Sequence, residues 1–140
     1  DMTGAGKAIY GLLNVAAIND LIGTRIYPVV APNNASTFPC IVYEVSSTEP
    51  INHKDRLTVQ TDGSKGRTLE RVTINIYCSG YEYRQVEELE NEVRKAIDGF
   101  RGDVNGVCVD GIILENSSDS YNYDLEIFEK ESIYNFRITY

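Results

Sequence analysis

Three features of this 140-residue sequence could support chemistry: a glycine-rich opening, a single histidine and three cysteines. The opening, Gly4-Ala5-Gly6-Lys7, matches part of a phosphate-binding loop. Such a loop also needs a glycine five residues before its second glycine, and a Ser or Thr after the lysine to hold magnesium. Asp1 and Ala8 occupy those two positions. We therefore predict that the opening residues enter a helix and bind no nucleotide.

The histidine and the cysteines are also placed poorly for catalysis or metal binding. His53 lies in a polar stretch, which favours a solvated side chain over a catalytic base. The cysteines lack the paired spacing of a zinc site, and each lies in an apolar, β-branched run. We predict that Cys40, Cys78 and Cys108 are buried and reduced. The sequence thus predicts no catalytic, cofactor-binding or metal site, and we expect a protein that is not an enzyme.

Charge is distributed unevenly along the chain, which has a net charge of −8. Residues 53–71 contain five basic and three acidic side chains, whereas residues 103–140 contain eight acidic and two basic ones. Opposite charges suit head-to-tail association between copies, although two solvated faces are the simpler alternative. The acidic balance argues against tight nucleic-acid binding. We expect no membrane partner and no secretory signal, because neither a long apolar run nor a signal pattern is visible.

Two helices are predicted from apolar residues at helical spacing. The first covers residues 6–19, and its stripe includes Ala16 and Ala17. The second covers about residues 83–97, and Gly99 follows as a left-handed stop. We expect Glu90 and Arg94 to pair on its solvent side. The apolar stripe of the second helix consists of Val86, Leu89, Val93, Ala96 and Ile97.

Strands are predicted at residues 40–45, 70–79, 107–116 and 133–140, with a weaker one at 57–61 and a bulge at Gly111. We expect residues 47–69 to form a long protruding loop or hairpin. The predicted fold is α+β and a single domain over residues 1–140. Two helices pack on one face of a mostly antiparallel sheet, in the order α-β-β-(β)-α-β-β.

Several segments together resemble one known family. An opening helix ending Ile-Asn-Asp-Leu-Ile-Gly leads into Arg-Ile-Tyr-Pro and Ala-Pro, and a proline-led strand Pro-x-x-x-Tyr follows. The strand at 70–77 and the terminal strand Tyr-Asn-Phe-Arg-Ile-Thr-Tyr complete the series. In this order they resemble the tail-completion (tail-terminator, or tail-to-head joining) family of long-tailed bacteriophages. The residues of the most specific part are Arg25, Tyr27, Pro28, Pro32, Pro39 and Tyr43.

The resemblance implies a structural virion protein with no cofactor. Family members form a ring, expected to be a hexamer, which caps the tail tube and joins the tail to the head. The implied partners are other copies of the chain, the major tail tube protein and the head–tail connector in the neck. DNA passes through the ring as cargo, and assembly takes place in the host bacterial cytoplasm. Residues 51–67 are longer and more basic than the family pattern. We predict that their cations contact a neighbouring subunit or the tube: Lys54, Arg56, Lys65 and Arg67.

Two alternatives remain open. A head-closure or neck protein, or the tube cap of a related contractile particle, would carry a similar pattern. Binding to the tube protein or to the portal-side connector distinguishes these roles. A small ligand-binding domain would instead need a pocket with convergent polar groups, for which the sequence offers no candidate.

Overall fold

The computed structural model describes residues 4–32, 37–51 and 69–139. Six strands form one mixed sheet in the order β1-β2-β3-β6-β5-β4, in which β1 runs parallel to β2 and the other neighbours are antiparallel. The predicted α+β class is confirmed, with three helices in the described ranges instead of two. In chain order the elements are α1 (Gly4–Leu13), α2 (Ala16–Ile22), β1 (Ile26–Pro28), β2 (Cys40–Ile51), β3 (Leu69–Gly80), α3 (Tyr83–Ile97), β4 (Gly102–Val104), β5 (Val107–Asn122) and β6 (Ile127–Thr139).

The opening helix is broken in two, so the prediction of one continuous helix is wrong. Val15 has an extended backbone, with φ −125° and ψ 158°, and separates α1 from α2. On a continuous helix, Ile18 would lie about half a turn around the axis from the apolar stripe of α1. The break instead buries Ile18 and Ile22 fully, whereas Ala16 and Ala17 of the predicted stripe are exposed.

The second predicted helix is confirmed as α3, and Gly99 follows it with a φ of +80°. Glu90 and Arg94 do pair, through two hydrogen bonds of 3.1 Å from the guanidinium to the carboxylate. The expectation that Glu90 faces solvent is wrong, because it is only 3% exposed. It borders the buried stripe next to Leu89, and the half-exposed Arg94 compensates its buried charge.

Strands β2 and β3 reach further than the sequence pattern indicated. Residues 47–51 and 69, part of the expected loop or hairpin, are paired strand positions, with Ile51 opposite Leu69. Pro50 is tolerated there because, among the described strands, β1 pairs with β2 only from Ile41 to Tyr43 and leaves this part of the edge open. Residues 52–68, which include His53 and the predicted short strand at 57–61, lie outside the described residues, as does Tyr140.

Strands β5 and β6 are also longer than predicted. Residues 117–122 pair with residues 127–132, so a stretch expected to be a polar loop forms the end of a hairpin. Most of its side chains are polar and exposed, and for that reason no apolar face indicated the pairing. The predicted bulge at Gly111 is confirmed by a register shift between Val109 and Gly111.

The core joins apolar stripes of the helices to alternate strand positions. Strand β6 contributes Tyr134, Phe136 and Ile138, which share a buried face. On β3 the buried positions are Val72, Ile74, Ile76 and Cys78. In the described part of the chain, no helix is long and apolar enough to cross a membrane.

None of the three cysteines forms a disulfide bond. Cys40 and Cys78 are buried as predicted, but Cys108 is only half-buried. Its neighbours Val107 and Val109 occupy the inward positions of β5, so the alternation of the strand turns Cys108 outward.

Candidate protein interface at one end of the sheet

The motif residues of the resemblance come together around the β1–β2 pair. Tyr27 and Pro28 of β1 lie in parallel register with β2, where Pro28 is opposite the buried Tyr43. The Arg25 Nε atom donates a hydrogen bond of 2.8 Å to the carbonyl oxygen of Pro39, just before β2 begins. Two segments that are 14 residues apart are therefore fixed to each other at the start of the sheet.

The connection between these two strands is also tied to the motif. The hydroxyl of Thr37 donates to the carbonyl oxygen of Pro32 at 2.7 Å. The backbone N–H of Val29 donates to the carbonyl oxygen of Tyr43 at 2.8 Å. Val29 and Val30 nevertheless expose 69% and 74% of their surface, which is high for adjacent large apolar residues.

The four cations predicted at an interface, Lys54, Arg56, Lys65 and Arg67, all lie in residues 52–68, outside the described residues. The positions that flank this segment are described. Ile51 and Leu69 stand opposite each other in the β2–β3 register. The segment therefore leaves the sheet and returns to it at the same end.

A groove of about 570 Å³ lies at the other end of β2 and β3. One wall is formed by residues 29–32 and Phe38, and the opposite wall by the turn between β5 and β6. Strand residues form the floor. The residues that line it from the sheet and the turn are Cys40, Val42, Glu44, Tyr77, Ser79, Asn122, Asp124, Leu125, Ile127 and Glu129. We call this site the acidic groove.

Its carboxylates are held by neutral donors. Tyr77 donates its hydroxyl to Glu44 at 3.1 Å, and Ser79 donates its hydroxyl to Glu129 at 3.3 Å. Burial raises the pKa of Glu129 above its ordinary value, and the nearby Glu131 adds to this, although the bond from Ser79 opposes it. An anion that is partly desolvated and lacks a cation favours a positively charged partner.

Aromatic side chains form a rim on the β5–β6 hairpin, next to the turn that lines the groove, although none of them lines the groove itself. Tyr121 makes edge-to-face contacts with Tyr123 and Phe128, each with ring centroids 4.9 Å apart. Phe128 also contacts Tyr83 at 5.8 Å. Tyr123 is 83% exposed. Aromatic residues of this kind are enriched in protein interfaces, because they combine large apolar area with a polar group.

A charged contact fixes this rim to the start of α3. Asp119 accepts hydrogen bonds from the Lys130 ammonium and, at 2.7 Å, from the Tyr83 hydroxyl. The bond from Lys130 contributes most to lowering the pKa of Asp119, and the bond to Asp119 raises the pKa of Tyr83. The Lys130 ammonium also lies 5.6 Å from the centre of the Tyr83 ring. The aromatic rim is therefore pre-formed, which lowers the entropy lost on binding.

Exposed apolar surface is concentrated at this end of the molecule. Ten large apolar residues of the described chain are exposed. Three of them, Val29, Val30 and Leu125, line the groove, and Tyr81 contacts Phe38 of its wall. Tyr83, Tyr121 and Tyr123 belong to the aromatic rim of the neighbouring hairpin, and the remaining three are Val15, Val45 and Ile113. No group of three potential metal ligands occurs among the described residues. The geometry is that of a protein-binding surface.

Sequence reasoning missed this groove because its walls come from segments about 90 residues apart. Each segment did carry a signal. Val29-Val30 is an apolar pair in a polar connection, and Leu125 and Ile127 are apolar residues in an acidic stretch. What the sequence lacked was the pairing that brings them together.

The chain matches no known protein-family model and no curated protein sequence. Its fold does resemble those of solved structures. One is a chain from a structure described as the virion of a native gene transfer agent (GTA) particle, at a TM-score of 0.63. The two chains are 14% identical, and the match covers 100% of each. At this identity the similarity establishes a common fold.

Proposed function

We propose that this chain is a structural subunit of a phage-like particle, and more specifically a tail-completion protein. In this role several copies, most simply six, form a ring that caps the tail tube and joins it to the head. The protein acts by shape and association, without catalysis and without a cofactor. DNA crosses the ring as cargo, which agrees with a net charge of −8 that offers no strong attraction to phosphates.

The observation that supports this role best is the end-to-end match with a virion chain, at 100% coverage of both. An insertion or a missing element would have reduced that coverage, so the whole architecture is shared. The resemblance of the sequence to the tail-completion family adds the specific role. Its motif residues make the contact between Arg25 and Pro39 that fixes the start of the sheet.

The surface of the subunit agrees with assembly into a closed ring. A ring with cyclic symmetry needs two different surfaces on each subunit, one for each neighbour. This chain has an acidic groove at one end of the sheet, and a basic segment that leaves the sheet at the other end. In a closed ring every copy would use both surfaces, and none would remain exposed.

Capping can be tested with the tail tube protein encoded in the same genome. Tubes assembled in vitro are mixed with the gold-labelled chain and imaged by electron microscopy. We expect label at tube ends only, and tubes that no longer elongate when more tube protein is added. Label along the sides, or continued elongation, would exclude the capping role.

The same preparation distinguishes the neck alternative. A head-closure or neck protein would bind the purified portal-side connector and leave tube ends free. The tube cap of a contractile particle would bind tubes whose sheath protein is encoded nearby. We expect tube ends to compete successfully with the connector for the free chain.

A ligand-binding role would use the acidic groove, whose volume of about 570 Å³ lies in the range of small-molecule sites. The exposed Val29, Val30 and Leu125 that line it fit a protein partner better, because small-molecule sites enclose most of the ligand. Saturable binding of a small metabolite with no effect on tube capping would favour that class.

A further inference from the structure

The acidic groove contains carboxylates that no cation neutralises in the described part of the chain. Four ion pairs are present there, and they involve Glu49, Glu90, Glu92 and Asp119. Glu44 and Glu129 instead accept hydrogen bonds from hydroxyl groups of Tyr77 and Ser79. Closing the groove with an uncharged partner would desolvate these anions further, which is unfavourable. A partner with well-placed cations would make charge-assisted bonds.

The chain itself carries a segment of the required chemistry. Residues 52–68 contain the cations Lys54, Arg56, Lys65 and Arg67 against two acids. The segment also contains Leu57 and Val59, which could cover the exposed Val29 and Val30. The aliphatic stems of Lys and Arg pack well on aromatic rims of this kind.

The segment cannot bring these cations to Glu129 in the groove of its own chain. Arg56 is five residues from the end of β2, and five extended residues reach at most about 18 Å. Ser79, which binds Glu129 in the groove, lies ten residues along β3 from Leu69, or about 33 Å. A long side chain does not close that difference. A cation of this segment that pairs with Glu129 must therefore come from another molecule.

We propose that the acidic groove binds residues 52–68 of a neighbouring copy, so that subunits join head to tail. This inference rests on the proposed ring and names the contact that closes it. The contact is heterologous, since one surface of each copy meets a different surface of the next. The exposed Val29, Val30 and Leu125 of the groove supply apolar area, and the cation–carboxylate pairs fix the register between the two copies.

Cysteine cross-linking tests which surfaces meet. Leu57→Cys places a thiol in the basic segment, and Leu125→Cys places one on the groove wall. We expect covalent dimers when the two variants are mixed at high concentration or on tubes, and a ladder of higher species from the double variant. Ile113→Cys, 64% exposed on β5 away from the groove, is the control partner. It should give about tenfold less dimer with Leu57→Cys, because disulfides need closely placed Cβ atoms.

Charge removal tests the carboxylates. The double variant Glu44→Gln/Glu129→Gln keeps the hydrogen-bond acceptors and removes the charges. We expect self-association, measured by light scattering, to weaken about tenfold, as the loss of a charge-assisted contact predicts. The matched control is Glu87→Gln/Glu88→Gln on the exposed surface of α3, which changes net charge equally and should leave association unchanged.

The outcomes separate this inference from the proposed ring. If copies associate but Leu57→Cys cross-links to Ile113→Cys or to the tube protein instead, the inference is overturned and the ring remains. Cross-links within single chains of the double variant would overturn the inference as well. If copies associate neither in solution nor on tubes, the ring fails and the inference fails with it.

Discussion

Cys78 is packed in the core of the sheet, and only 1% of its surface is exposed. Burial raises the pKa of this thiol and raises that of Cys40 to about 12, so neither forms a reactive thiolate at neutral pH. Both therefore act as small apolar residues. The apolar residues around Cys40 and Cys78 in the sequence predicted this burial correctly. The same prediction is wrong for the half-buried Cys108, because strand alternation, and not composition, decides which residues point inward.

Replacing Cys78 with serine tests this structural role. We expect Cys78→Ser to lower the free energy of unfolding by about 1–3 kcal/mol, because the hydroxyl is buried without a strong partner. Urea denaturation measures the change. Cys108→Ser, at a half-buried position, should change stability by about 0.5 kcal/mol or less. Reductant should leave the melting temperature of the wild type unchanged, and a clear decrease would show that a disulfide had been overlooked.

Glu129 should make stability depend on pH in an unusual direction. Its folded pKa is raised above the ordinary value of 4.5, so between these two values the folded state binds more protons than the unfolded state. Stability contributed by this group is therefore greatest below about pH 4.5 and falls as pH rises through the folded pKa. Glu129→Gln removes the titration, so the variant should gain stability relative to wild type between about pH 4 and pH 7. Urea unfolding at both pH values measures the difference, and a difference independent of pH would contradict the assignment.

At the scale of elements, periodicity predicted α3 well and the opening helix poorly. The apolar stripe of α3 faces one direction throughout, and Gly99 provides an unambiguous end. In the opening segment the stripe changes direction at Ile18, which signals a break that a count of apolar residues does not detect. The ends of β5 and β6 had no signal of this kind, because most of their side chains are polar, and the contacts of Tyr121 with Phe128 and of Asp119 with Lys130 depend on the strand pairing itself.

The packing of α1 against the β4–β5 turn supports a prediction about Gly11. A Cβ atom at this position would lie 2.6 Å from the Asn105 amide nitrogen and 2.7 Å from a methyl group of Val104. That amide donates to the carbonyl oxygen of Lys7 at 3.0 Å, so it cannot move away without breaking a bond. We expect Gly11→Ala to destabilise the protein by about 1 kcal/mol, because overpacking exceeds the helix preference for alanine.

A second substitution provides the control for Gly11→Ala in thermal unfolding. Asn105 has a positive φ of 49°, which glycine adopts without strain. Adding Asn105→Gly removes the nearest clash and should recover part of the lost stability. If Gly11→Ala alone raises the melting temperature, α1 does not pack on the turn in this way.

At the scale of the whole molecule, sequence alone predicted the fold class and which regions are basic and acidic. It did not locate the acidic groove, because residues 29–32 and the turn after Asn122 meet only once the sheet has formed. The basic segment was identified from composition, but its relation to the groove needed the β2–β3 register. That register places the ends of β2 and β3 that flank the basic segment opposite the end that holds the groove, as the proposed head-to-tail contact requires.

The basic segment should be needed for assembly and not for folding. Changing Lys54, Arg56, Lys65 and Arg67 to serine removes four charges from a polar segment, and charges outside a core contribute little to stability. We expect the melting temperature to stay nearly constant in calorimetry. Particles carrying this variant should show unjoined or overlong tails by electron microscopy, because the subunits no longer form the cap.

A control must distinguish the general effect of removing four positive charges from the loss of the proposed contact of residues 52–68. A control variant replaces four exposed cations elsewhere with serine: Lys7, Arg84, Lys95 and Arg101. Both variants have the same net charge, so nonspecific repulsion between subunits is equal in the two cases. Only the variant in residues 52–68 should fail to cap tubes. Infectious particles of normal tail length from that variant would show that the segment is a solvated loop, and the ring would then have to close through other surfaces.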